Sequence, residues 1–438
     1  MEKTGLKRSL TLFTVFTLIT GAMVGMAWAV LPNVFFAYAG PAILLSVVIA
    51  AGFSMFIGLC YAELCAAMPY AGGEYHYAKT AIGTFFGFIT GWFLVVAYSA
   101  IVPGEIIILS KVIAVLLSIP EKWLIGTVLA LAFGGINILG IRISAIMQSI
   151  FAAMLFLGIG IFIIGGLGDI QWANFSPFLE GHVPGMLMMI PIGMLAFMGF
   201  DIVPQAAEEV KSPIKKVVYL IPLSIVFVGV FYAGVFFTAA ANVPPSVIAQ
   251  SKADVPLIEV SKVFLGESGA MIILVAGVMG LITTLNAFMI GSSRLMLSMA
   301  REGVLPSFLG KIHKKYGTPH WAISLITVFG MLGAIFQELL LVFQIASSAV
   351  LIAFIMVAVS FFVLRKKRPD MERPYRVPFY PLTPIIALFG SVLAFLFSLI
   401  AFESWAHWAI FLGVTIIGLA YYVVSAKNRG PAAFVSVQ

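Results

Sequence analysis

Two glycine-punctuated stretches, Thr20-Gly21-Ala22-Met23-Val24-Gly25 and Gly193-Met194-Leu195-Ala196-Phe197-Met198-Gly199-Phe200-Asp201, lie inside apolar runs at 10–38 and 185–207. Runs of that length read as membrane-crossing helices, and glycine-rich interruptions inside them read as unwound backbone. The two interruptions are roughly 175 residues apart, the length of five spans in this chain. Five is odd, so a second set of five helices enters the membrane with the opposite orientation. The spacing therefore predicts an inverted-topology repeat: spans 1–5 within residues 1–168, spans 6–10 within 169–368, and two appended spans with a tail in 369–438.

The rest of the chain agrees with that reading. Of its 438 residues 62% are hydrophobic and 10% charged, against roughly 25% charged in soluble domains, which excludes a water-soluble globule. The 41 Gly and 22 Pro follow no strict period, which excludes a collagen-like chain. Further apolar runs fall at 42–68, 84–115, 123–140, 143–167, 217–240, 268–299, 320–337, 340–364, 383–402 and 405–425. The expected fold class is thus an all-α polytopic membrane protein of about 12 helices. The first run is too long for the apolar region of a signal peptide and is expected to stay uncleaved.

Of the 25 basic residues, all but Lys111, Lys122, Lys252 and Lys262 fall in segments on one side if both ends share that side. The positive-inside rule makes that side the cytoplasm, with both termini inside and the chain in the cell membrane. The same asymmetry explains the net charge of +7 without a nucleic-acid partner. Cys60 and Cys65 are five apart, a spacing that fits neither a redox pair nor a zinc set, and read as structural. The five histidines, expected in or beside loops, show no ligand spacing, and no metal site is expected. No P-loop, nucleophile elbow or paired-carboxylate motif is present, which argues against an enzyme or a nucleotide-driven pump.

Helix breaks at corresponding positions of two repeats mark a transporter's binding site, because unwound backbone at mid-membrane depth must be buried or line a cavity. The N-terminal ends of the half-helices would offer free N–H groups to an anion. The competing explanation is close helix packing, since Gly21 and Gly25 also form a GxxxG pair.

The chain resembles the amino acid-polyamine-organocation superfamily of permeases over nearly its whole length. The likeness is carried by Tyr61-Ala62-Glu63-Leu64 with Met68-Pro69-Tyr70-Ala71-Gly72-Gly73-Glu74-Tyr75, by Gly199-Phe200-Asp201 with Ala207-Glu208-Glu209-Val210-Lys211-Ser212-Pro213, by Thr284-Leu285-Asn286-Ala287 with Ser293-Arg294 and Ala300-Arg301-Glu302-Gly303, and by Leu364-Arg365-Lys366-Lys367-Arg368-Pro369-Asp370. The resemblance implies a leucine-transporter-like fold with discontinuous helices 1 and 6 and alternating access around a central site. Carried over by position, it gives the substrate carboxylate to the backbone of Met23, Val24, Gly25, Met26 and Ala27. The ammonium falls to carbonyls of Phe197, Met198 and Phe200 around Gly199.

Three departures bear on the substrate. The Gly-Ser-Gly common in the family reads Gly25-Met26-Ala27 here, which removes a hydroxyl donor, and large Met26 and Trp28 favour a small or apolar neutral substrate. The usual aromatic gate position is Leu195. The span 5 position that often carries lysine is Leu155, and a sodium ion held by Thr283, Thr284 and the span 1 backbone would fill the same role. No cofactor is expected beyond a coupling ion, H+ or Na+.

Among the ionisable residues, Asp201 is costly inside a membrane and is the expected proton carrier. Glu63 is expected either to pair with a cytoplasmic arginine such as Arg294 or Arg301 as a gate or to serve as an interfacial anchor, and Glu208 and Glu209 either to pair with Lys211, Lys215 and Lys216 at the surface or to join a cytoplasmic gate. Glu105 is expected to snorkel towards the outer boundary. The sequence therefore predicts a secondary transporter for a neutral or apolar amino acid, coupled to protons or sodium or working by exchange. Its alternative is an amine or polyamine carrier. A small-molecule substrate and the lipid bilayer are the expected partners, and the chain is expected to be a monomer or homodimer.

Overall fold

The structure, a computed structural model, describes residues 6, 8–25, 27–253, 255–400 and 404–425. Among them helices dominate, and the one β-bridge joins Leu10 to Val210. Ten helical stretches are long and apolar enough to cross a membrane, and the shorter apolar helices Val183–Ala196 and His320–Phe336 stand where the sequence predicts spans 6 and 9. The shortness of Val183–Ala196 follows from the break itself, because the chain turns through Phe197–Asp201 before resuming as Ile202–Ala206.

The first span begins at a capping box in which Thr11 Oγ1 accepts from Thr14 N at 3.2 Å and Thr14 Oγ1 accepts from Thr11 N at 2.8 Å. It ends at Met23, where Val24 N still donates to Thr20 O at 3.2 Å, and helix resumes at Ala27–Val30. Both sequence-predicted interruptions are therefore real. The loop after span 7 holds a five-residue helix, Pro245–Ala249. Span 8 begins where predicted, because the stretch Pro256–Arg301 is two helices meeting at a non-helical Gly266 with φ +62°, and the second of them is the span.

Burial sorts the spans into an inner group and a lipid-facing group. From Gly280 to Ala300 nearly every residue of span 8 is buried, whereas Trp405–Val424 buries only Phe411 and Gly418. Exposed Leu124, Val128, Ile150, Leu157, Val230 and Phe389 on the outer spans face the hydrocarbon, where an apolar surface costs nothing. Inside, a polar chain links four spans: Asn137 Nδ2 donates to Asn286 Oδ1 at 3.0 Å, Ser144 Oγ to Asn286 Oδ1 at 2.7 Å, Asn286 Nδ2 to Gln148 Oε1 at 2.9 Å and Gln148 Nε2 to Thr17 O at 3.4 Å. With every member partnered, such a network fixes helix register in a medium that supplies no competing water.

Candidate functional site at the helix breaks

The two breaks touch. Gly199 has φ +138°, a conformation that glycine adopts freely, and a Cβ there would lie 2.8 Å from both Ala22 Cβ and Met23 N. Span 8 packs onto the first break just as closely, since a Cβ on Gly280 would stand 2.7 Å from Gly25 O and 2.9 Å from Val24 O. Backbone groups from the two interrupted helices are thus gathered at one place.

Side chains from three continuous spans hold this arrangement. Tyr232 Oη donates to Met23 O at 2.8 Å and reaches Ala196 O at 3.3 Å. Thr284 Oγ1 donates to Gly21 O at 3.0 Å. Tyr98 Oη donates to Asp201 Oδ2 at 2.7 Å, while Gly199 N donates to Asp201 Oδ1 at 2.7 Å. Asp201 is wholly buried, and both its oxygens shape the second break.

Other polar atoms here lack partners. Glu105 is buried, with Oε1 3.0 Å from the position of a Cβ on Gly25 and Oε2 free of any hydrogen bond. The expectation that it snorkels is corrected: its helix, Thr84–Leu117, is 34 residues long and packs this carboxyl against the first break. The buried Trp28 has an unpartnered indole Nε1–H. Among the described residues no hydrogen bond reaches the carbonyls of Phe197 or Met198. Unpaired buried donors and acceptors each cost about 1–3 kcal/mol, so a cluster of them implies a ligand or water. Trp28, Phe197 and Tyr232 line a cavity of about 30 Å³, room for one water but not for an amino acid. That cavity is too small for a substrate in this conformation.

The remaining predicted residues fall as follows. Val24 is buried in the first break and Ala27 opens the next helical turn, while Met26 lies outside the described residues. Phe200 stacks on Phe354, its centroid 5.5 Å away, and so turns into the core. Thr283 donates to Met279 O and Gly280 O of its own helix and lies against Gly21. Leu195 is half-buried in the last turn before the second break. Among the described residues no three His, Cys, Asp or Glu side chains are placed to share a metal ion.

On the face rich in basic residues, motifs far apart in sequence meet. Arg294 and Glu209 form a buried pair, with Nε–Oε2 at 2.9 Å and Nη2–Oε1 at 3.3 Å. Glu209 O also accepts from Ser9 N and Leu10 N, and Lys211 N donates to Leu10 O, so the N-terminal segment is strapped across the end of span 6. Arg301 lies 3.7 Å from Glu208, whose Oε1 takes Ala71 N at 3.1 Å. The expectation of surface pairs between Glu208, Glu209 and the following lysines is thus corrected. Glu74 accepts from Gln205 Nε2, and Gln205 Oε1 accepts from Gly72 N at 3.0 Å.

Glu302, just outside the membrane, meets Lys79, His76 at 3.4 Å and the Tyr75 hydroxyl at 2.6 Å. Burial alone would raise its pKa, but these partners together hold it below the usual carboxylate range. His76, His320 and His407 sit in the first turns of helices Gly73–Ile82, His320–Phe336 and Trp405–Val424, beside the loops that precede them.

Glu63 does not join these pairs. Its partners are Arg365 at 2.6 Å, Arg373 at 3.2 Å and Val377 N at 2.7 Å, not Arg294 or Arg301. Arg373 in turn donates to the carbonyls of Leu364, Arg368 and Met371, so Glu63 anchors the loop between spans 10 and 11. Sequence distance hid this, because span 2 meets span 10 only in the folded chain. Tyr98, Tyr232 and Glu105 are the residues the sequence reading left out of the site, and Trp28 entered it only as bulk, not as a hydrogen-bond donor. Only Glu105, an acid inside an apolar run, carried a signal.

A sequence profile described as "Amino acid permease" matches residues 10–420. The chain is 29% identical to the methylthioribose transporter of Bacillus subtilis, over 97% of this chain and 94% of that protein. It is likewise 29% identical to a branched-chain amino acid permease of B. subtilis, over 97% and 94%. It is 24% identical to the serine/threonine exchanger of the same organism, over 98% and 99%.

Proposed function

Since the chain belongs to the amino acid permease family, we propose that it is a secondary transporter that carries a neutral, apolar amino acid across the cell membrane by alternating access, with both termini in the cytoplasm. The observation that carries this reading is the cluster of unpartnered polar atoms at the two touching breaks. The Trp28 indole N–H, which has no partner, and the N–H groups at the start of the helix at Ala27 take the carboxylate, in place of the hydroxyl absent from Gly25-Met26-Ala27. Glu105, beside Gly25, and the carbonyls of Phe197 and Met198 take the ammonium.

A zwitterion satisfies both sets at once, whereas an amine leaves Trp28 and the N–H groups unpaired. The apolar wall of Trp28, Phe35, Ile43, Val47, Met189 and Phe236 suits a branched aliphatic side chain. The branched-chain permease among the relatives supports the same choice.

Coupling is assigned to protons through Asp201. Its two oxygens hold Gly199 N and the Tyr98 hydroxyl, so protonation removes an acceptor from one of these bonds and links proton uptake to the geometry of the second break. Sodium held near Thr284 is the competing coupling ion, and flux that follows a sodium gradient at fixed pH would favour it.

The test of substrate class is the thermal stability of the purified protein against leucine, its decarboxylated amine and methylthioribose. A ligand at about 100 times its dissociation constant adds about 2.7 kcal/mol. Leucine should stabilise and the amine should not. Stabilisation by the amine alone, or by methylthioribose alone, would overturn the amino acid reading.

A further inference from the structure

A second cavity, of about 670 Å³, opens on the basic face beside the N-terminal strap. Arg8, Arg142, Lys211 and Lys315 line it, each from a different segment of the chain, and no carboxylate among the described residues does. Arg8, Arg142 and Lys211 form no ion pair among the described residues, unlike Arg294, Arg301, Arg365 and Arg373 on the same face.

Two further features favour an anion there. Helix Ile141–Gly165 begins at the cavity with no side-chain cap, so the free N–H groups of its first turn add partial positive charge. Ser9 Oγ, also in the lining, is out of reach of water and has no hydrogen-bond partner.

The cavity has an apolar side as well. Leu139, Ile143 and Ile146 line it and are exposed, at the turn where span 4 passes into span 5. Cations at one level with exposed aliphatic side chains beside them match a phosphate headgroup with its acyl chains, and a small soluble anion has no use for the aliphatic wall. We propose that this cavity holds the headgroup of an anionic phospholipid. The headgroup bridges Arg8 and Lys211, which flank the backbone bonds of the strap, to Arg142 on span 5 and Lys315 in the loop before span 9. Bound lipid therefore fastens the strap to the end of span 6 and stabilises this arrangement of the basic face.

The test is lipid retention by the intact detergent-purified chain in native mass spectrometry, with phosphatidylglycerol, phosphatidylcholine and inorganic phosphate as probes. Phosphatidylglycerol should be retained at least about tenfold better than phosphatidylcholine, and millimolar inorganic phosphate should not displace it. Arg142→Gln and Lys211→Gln should each weaken that retention about fivefold, from roughly 1 kcal/mol per cation near a membrane surface. Arg142→Lys keeps the charge and should retain the lipid, which separates loss of charge from loss of fold. Equal retention of the two lipids, or unchanged retention in both Gln variants, would overturn the proposal. Displacement by inorganic phosphate would assign the cavity to a soluble anion and would also overturn it.

Discussion

The hydroxyl of Tyr232 donates to Met23 O at 2.8 Å and lies 3.3 Å from Ala196 O, so one side chain on a continuous span reaches the last turn before both helix breaks. A phenol has a single proton and must share it between the two carbonyls, which ties the spacing of the breaks to the position of span 7. Tyr232→Phe keeps the ring against Phe197 and removes only this link. It should cost about 1 kcal/mol of stability and raise the KM for substrate, measurable as a lower unfolding midpoint together with right-shifted uptake curves.

Gly199→Ala should abolish uptake, because its Cβ would collide with Ala22 and Met23 and its backbone sits at φ +138°. Gly160→Ala is the control. A Cβ there meets nothing within 4 Å, and alanine is the better helix former by about 1 kcal/mol. Equal activity of the two variants would mean that contact between the breaks is dispensable.

The buried Arg294–Glu209 pair should behave as a unit. Arg294→Met leaves Glu209 buried without its partner and should destabilise by about 3–5 kcal/mol. Combining it with Glu209→Gln removes the stranded charge and should restore much of the lost stability. Additive damage in the double variant would argue against direct coupling.

Glu105 and Asp201 should separate in kinetics. Glu105→Gln removes a charged partner of the ammonium worth about 1.5–3 kcal/mol, and so should raise KM by about 10- to 100-fold while leaving the pH dependence of uptake in place. Asp201→Asn still accepts from Gly199 N but no longer titrates, and should flatten the pH dependence. Uptake by Asp201→Asn with the pH profile of the unmodified protein would remove Asp201 from coupling.

Both breaks were legible because glycines inside apolar runs have a physical meaning that does not depend on neighbours. Spans 1 to 12 were legible as apolar runs. Depth and partnership were not. Glu105 was read as near an outer boundary from its distance to the end of the run, but a helix of 34 residues is about 51 Å long at 1.5 Å per residue. That exceeds the hydrocarbon core, so position along the run does not fix depth. Glu63 could choose among several arginines, and its choice of Arg365 and Arg373 depends on how spans 2 and 10 pack. Tyr232 left no trace, because a tyrosine in an apolar run is ordinary until its hydroxyl is seen between two carbonyls.

The most direct test of the account is uptake of labelled leucine into proteoliposomes under an imposed inward proton gradient, with isoleucine and the decarboxylated amine of leucine as competitors. The account predicts saturable uptake that the proton gradient stimulates, that isoleucine suppresses and that the amine leaves unchanged. Uptake indifferent to the proton gradient and suppressed by the amine would contradict it.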